Sequence, residues 1–99
     1  MRRRTDANQT EIVDALRRAG ASVWITSALG HGFCDVVAGY RGKNFLLELK
    51  DGKKSASRTK LTPDEQRFVD SWRGTVHTVS SVDEALLVVI GRYVREADE

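Results

Sequence analysis

Asp35, Glu48 and Lys50 are the residues of this sequence whose types and spacing could do chemistry together. They fall on two strand-like runs, 33–40 and 44–50, around Arg41-Gly42-Lys43, the strongest hairpin signal in the chain. With Arg41-Gly42 as a two-residue turn, Tyr40 faces Lys43 and Asp35 lies across from Glu48. Facing residues of this kind have Cβ atoms roughly 5 Å apart on one side of the sheet. Lys50, two residues beyond Glu48, points to the same side. Two facing carboxylates repel, and partial burial makes ionising both costly. A divalent cation that takes an oxygen from each removes the conflict. A plainer arrangement fits the same spacing, with Lys50 neutralising Glu48 or Asp35 in a surface ion pair. A turn of odd length would break the register altogether.

The elements that must hold this hairpin follow from hydrophobic periodicity. Its other face reads Cys34, Val36, Ala38, Tyr40 and then Phe45, Leu47, Leu49, which is a core face. The Asp35 face mixes the charged groups with Phe33, Val37 and Leu46. Residues 6–19 read as a helix with Ile12, Val13, Leu16 and Ala19 on one stripe, capped by Thr5 or Asp6 and ended by Gly20. Residues 21–26, with Val23, Trp24 and Ile25, are β-prone, and 27–32 form a loop. Thr62-Pro63-Asp64-Glu65 is a helix start, with a threonine cap, a proline in the first turn and a glutamate reaching back. That helix carries Phe68, Val69 and Trp72 and should stop near Gly74, followed by a short strand over 75–79. Ser81-Val82-Asp83-Glu84 reads as a second capping box, opening a final helix through Ala85, Leu86, Val89 and Val94. The order α-β-β-β-α-β-α predicts one α/β domain over 1–99, with a mixed central sheet flanked by helices.

At 40% hydrophobic and 30% charged residues, the composition suits a globular rather than a disordered chain. No apolar run approaches the roughly 18 residues that span a bilayer, and Met1-Arg2-Arg3-Arg4 lacks a signal peptide's apolar stretch. The lone Cys34 has no internal disulfide partner, which predicts a reducing cytoplasm and an inert core thiol. The net charge is only +2, but its distribution is uneven. Arg2, Arg3 and Arg4 form a basic arm within residues 1–5. Lys53, Lys54, Arg58 and Lys60 follow Lys50, with only Asp51 opposing them. Such clusters are surfaces for nucleic-acid phosphates or, more plainly, solvated segments. His31 and His77 show no metal-ligand spacing with the cysteine; His31 reads as at most a phosphate contact, and His77 as a strand residue.

Gly32-Phe33-Cys34-Asp35 followed by Phe45-Leu46-Leu47-Glu48-Leu49-Lys50 resembles the signature of the PD-(D/E)XK nucleases. The shortness of the chain, and Leu61-Thr62-Pro63-Asp64-Glu65-Gln66 after the lysine, is similar to the VRR-NUC (virus-type replication-repair nuclease) branch. Cys34 departs from that pattern by standing where proline is usual; proline there shapes the strand and does no chemistry. The resemblance implies a restriction-endonuclease-like core. It implies a Mg2+ or Mn2+ ion held by Asp35, Glu48 and the Leu49 carbonyl, with Lys50 orienting water or stabilising phosphoryl charge. It also implies DNA endonuclease activity on branched substrates such as four-way junctions, a homodimer, and residence in a bacterial or phage-infected cell. Glu11 lies where such nucleases often place another carboxylate, and Gln66 matches the branch's glutamine. As alternatives, Glu11 is an exposed helix glutamate and Gln66 a solvated polar residue. The alternative to an enzyme is a non-catalytic nucleic-acid-binding module or subunit that keeps the nuclease fold.

Overall fold

The computed structural model describes residues 7–50 and 61–91. Helix α1 (Ala7–Arg18) buries Ile12, Val13 and Leu16 almost completely. It ends where Gly20 takes a left-handed φ of +105°. There the Gly20 N–H returns to the Arg17 carbonyl and the Ala21 N–H to the Leu16 carbonyl. Strands β1 (Ser22–Ile25), β2 (Val36–Tyr40) and β3 (Lys43–Leu49) form an antiparallel meander. Helix α2 (Pro63–Ser71) lies in the connection to β4 (Val76–Val79), which pairs parallel to β3. A parallel neighbour needs such a crossover. Helix α3 (Val82–Val89) closes the described chain. The described residues form a small α/β domain with one four-stranded mixed sheet in the order β1-β2-β3-β4 and three α-helices.

Helix α1 packs against α3 and β1, and α3 against β2 and β4. Between them Ile12, Val13, Leu16, Val23, Val36, Ala38, Leu47, Val79, Ala85, Leu86 and Val89 make a single core on one face of the sheet. By strand alternation, Trp24, Val37, Leu46 and Val76 occupy one register row on the other face. Helix α2 meets that second side at the end where the hairpin opens. There the Phe33 ring stacks edge-on against Phe68 at 5.1 Å, and Phe68 meets Trp72 at 5.3 Å. No helix among the described residues is long and apolar enough to cross a membrane.

The hairpin turn is the two-residue one. Arg41 and Gly42 both have positive φ, +52° and +81°, as a type I′ turn requires, and the register runs from Tyr40↔Lys43 to Val36↔Leu47. Strand β2 starts at Val36, later than the sequence pattern suggests. Two of the preceding residues bond elsewhere: the Phe33 N–H donates to the Gly30 carbonyl, and the Cys34 carbonyl accepts from the Thr26 hydroxyl at 2.7 Å. Val94, expected within the final helix, lies outside the described residues. That helix ends at Val89, where Gly91 takes φ +94° and its N–H bonds back to Leu86. Its cap is half of the expected box. Ser81 Oγ accepts from the Glu84 N–H, but the Glu84 carboxylate accepts from Ser80 and not from Ser81. A short 3-10 turn (Ser27–Leu29) sits within the expected loop.

One glycine ties the loop to α2. Gly32 has φ +80°, and a Cβ there would collide with the Asp64 carbonyl and crowd the Glu65 nitrogen. Gly32→Ala should therefore cost roughly 2–4 kcal/mol, combining backbone strain with overpacking. Gly42→Ala, equally left-handed but open to solvent, should cost about 1–2 kcal/mol of strain alone. Denaturant midpoints of the two variants check this; equal losses would mean that the loop yields freely.

Candidate active site

The end of β3, the residue before β2 and the first turn of α2 converge on one point. Asp35 lies one step beyond the regular ladder. Its N–H still donates to the Leu47 carbonyl at 3.0 Å, and its carboxylate Oδ2 accepts the Leu49 N–H at 2.8 Å. A side-chain oxygen thus replaces a backbone carbonyl in the pairing, which draws the Asp35 carboxylate onto the Glu48-Leu49-Lys50 segment. Asp35 is 7% exposed and Glu48 is fully buried.

Glu48 is the anomaly of the structure. Neither of its carboxyl oxygens meets a hydrogen-bond donor among the described residues. A second carboxyl, that of Glu65, is its neighbour, and two carboxyl groups can bond only by sharing a proton. Burial pushes the Glu48 carboxyl up to about 9, with Glu65 and Asp35 reinforcing the rise and Lys50 opposing it. Glu65 behaves in the opposite sense. Burial disfavours its charge, but the Lys50 ammonium and the Thr62 N–H outweigh burial and hold it below the usual carboxylate range. Lys50 Nζ donates to Glu65 Oε1 at 2.9 Å, with both side chains largely buried.

The surface ion pair anticipated between Lys50 and Glu48 or Asp35 is therefore not what forms: the partner is Glu65. The Thr62-Pro63-Asp64-Glu65 motif marks that residue only as a cap. The capping box is present, with Glu65 N–H donating to Thr62 Oγ1 at 3.2 Å and Thr62 N–H to Glu65 Oε1 at 2.9 Å. The available signal was that a carboxylate oxygen accepts more than one bond, so a cap glutamate following a Glu-x-Lys strand can serve both. Asn8 was also missed. From the first turn of α1 its Nδ2 donates to the Lys50 carbonyl at 2.8 Å.

The other candidates divide. Leu49 is at the site through its backbone. Gln66 is exposed, and its amide donates to Asp70 one turn along α2 at 2.9 Å, so the structure does not bring it in. Glu11 is exposed on α1. His31 is exposed, with a left-handed φ of +59°, on a cleft it shares with Ser27, Thr62 and Glu65. His77 is a β4 residue near the Phe45 ring. Cys34 is buried and burial pushes its thiol up, consistent with a core role. Arg2, Arg3, Arg4, Lys53, Lys54, Arg58 and Lys60 lie outside the described residues. Among the described residues no three His, Cys, Asp or Glu side chains come together at metal-ligand spacing. Comparison with protein-family models, curated proteins and solved structures finds no match.

The Glu48 carboxyl dictates a pH dependence. Above its ordinary value of 4.5 the unfolded chain gives up the proton, whereas the folded protein keeps it up to about 9. Across that window the unfolded state binds fewer protons, so stability falls as pH rises. Below it, Glu65 acts the other way, losing its stabilisation as the carboxyl is protonated in acid. In cation-free buffer the stability difference between wild type and Glu48→Gln should shift against the wild type from pH 5 to pH 8. One proton sets a ceiling of about 1.4 kcal/mol per pH unit. Parallel pH profiles from thermal melts would show that Glu48 titrates normally.

Proposed function

We propose that this chain is a metal-dependent DNA endonuclease with a restriction-endonuclease-like core of the VRR-NUC kind. The observation that carries this reading is the fully buried Glu48 carboxyl, without a donor among the described residues, beside Asp35 and with a lysine ammonium held next to them. A buried carboxyl holds its charge where a cation offsets the cost and takes up a proton otherwise, and Lys50 is already committed to Glu65. The donor set fits a hard divalent cation, because it consists of oxygens. The α-β-β-β-α-β-α order, the crossover through α2 and the Glu48-Leu49-Lys50 strand end are what the resemblance to such nucleases leads one to expect.

Asp35, Glu48 and the Leu49 carbonyl would hold Mg2+, with Mn2+ as a substitute. When bound, the ion polarises the scissile phosphate and lowers the pKa of a bound water. Lys50 supplies a fixed positive charge where the phosphoryl oxygens gain negative charge, or orients the attacking water. Asp35, tied to the Leu49 N–H, presents its carboxylate without rearrangement. The basic arm Arg2-Arg3-Arg4 and the cations Lys53, Lys54, Arg58 and Lys60 would neutralise backbone phosphates. Symmetric cutting of a branched substrate such as a four-way junction needs two sites, which a twofold homodimer supplies. The working compartment on this reading is the cytoplasm of a bacterial or phage-infected cell.

Incubation with linear duplex, single strand, flap and four-way junction DNA, in Mg2+ or EDTA, tests the reading. Cleavage should require the ion and favour branched DNA. Asp35→Asn, Glu48→Gln and Lys50→Ala should each lose at least about a hundredfold in rate while keeping the circular dichroism spectrum and DNA retention of the wild type. Ion-independent cleavage, or none on any substrate with Mg2+ or Mn2+, would overturn it.

A further inference from the structure

Lys50 is held at three points by three elements. Its N–H donates to the Val79 carbonyl on β4 at 2.8 Å, and its carbonyl accepts from Asn8 on α1 at 2.8 Å. Its ammonium donates to Glu65 on α2 at 2.9 Å. The two backbone bonds fix where the side chain starts; among the described residues, Glu65 alone fixes where it ends. The oxygen concerned, Oε1, is the same atom that accepts the Thr62 N–H and closes the α2 capping box. Helix start and ammonium position are thereby set by one atom, and the Lys50 and Glu65 side chains retain only 14% and 13% of their exposure.

The alternative open to Lys50 shows what this hold accomplishes. A lysine side chain is a flexible stem with a compact charge, and the nearby acceptor with unused capacity is the buried carboxyl of Glu48. Released from residue 65, the ammonium would turn onto Glu48 and occupy the oxygens that a cation needs. We infer that Glu65 is a positioning residue: it keeps the Lys50 ammonium beside the Asp35–Glu48 carboxyls but off Glu48, so that Glu48 stays available to a divalent cation. This role rests on the nuclease reading for its consequence, but the hold itself does not.

Four proteins test it: wild type, Glu65→Gln, Lys50→Met and the double variant. Glutamine serves in capping boxes as glutamate does, so Glu65→Gln removes the charge and keeps the helix start. By calorimetric titration with Mg2+, Glu65→Gln should bind about tenfold more weakly than wild type. The double variant should regain the affinity of Lys50→Met, because no ammonium is left to compete. A double variant as weak as Glu65→Gln, or a Glu65→Gln as tight as wild type, overturns the inference. A crystal structure of cation-free Glu65→Gln gives a readout independent of any metal: Lys50 Nζ should lie within hydrogen-bond distance of the Glu48 carboxyl. Nζ remaining at residue 65 refutes the hold. Absence of Mg2+ and Mn2+ binding in the wild type, with Nζ moving as expected, instead refutes the nuclease reading and with it the cation-sparing role.

Discussion

A carboxyl group removed from water without a donor costs free energy in either protonation state, and far more when charged. In this fold that group is Glu48, at the inner end of the strand that pairs with both β2 and β4. The surrounding structure is arranged around it. Asp35 approaches from the hairpin partner, and α2 brings the Glu65 carboxylate from the crossover. Lys50, the cation that the described residues bring to this cluster, is bonded to Glu65. The large apolar core sits on the opposite face, where Ile12, Leu16, Val36 and Leu47 are fully buried. The stabilising layer and the costly layer thus share one sheet but different sides of it.

That division explains why the hairpin register matters more than any single contact. A slip of one residue would carry Glu48 into the core and Leu47 to the site. The type I′ turn at Arg41-Gly42 guards against the slip, although Arg41 must hold φ +52°, a conformation that favours glycine or asparagine. The parallel pairing of β4 then fixes the far end, where the Lys50 N–H meets Val79.

Much of this was legible in the residues. Alternation along 34–40 and 45–49 separates the core face from the Asp35–Glu48 face, and the hairpin spacing yields the observed register. The Thr62 cap was readable for the same reason: its bonds are local. What local patterns could not show is where α2 would dock. Glu65 joins the site only because Gly32 lets the loop press against the first turn of that helix. The same docking leaves Gln66, one residue on, facing Asp70 and solvent. The early start expected for β2 failed on a comparable point. Asp35 offers a carboxylate in place of a ladder carbonyl, which a propensity for strand cannot anticipate.

On the proposed reading, the buried Asp35–Glu48 pair would hold a divalent cation. Thermal melts of the wild type and Asp35→Asn, in Mg2+ and in EDTA at matched ionic strength, test it without any DNA. A cation that binds only the folded site stabilises it by about 2.7 kcal/mol at a hundredfold excess over its dissociation constant. Mg2+ should raise the wild-type melting temperature, and Asp35→Asn should largely lose that rise. A wild type indifferent to Mg2+, together with an Asp35→Asn destabilised equally in both buffers, would contradict it.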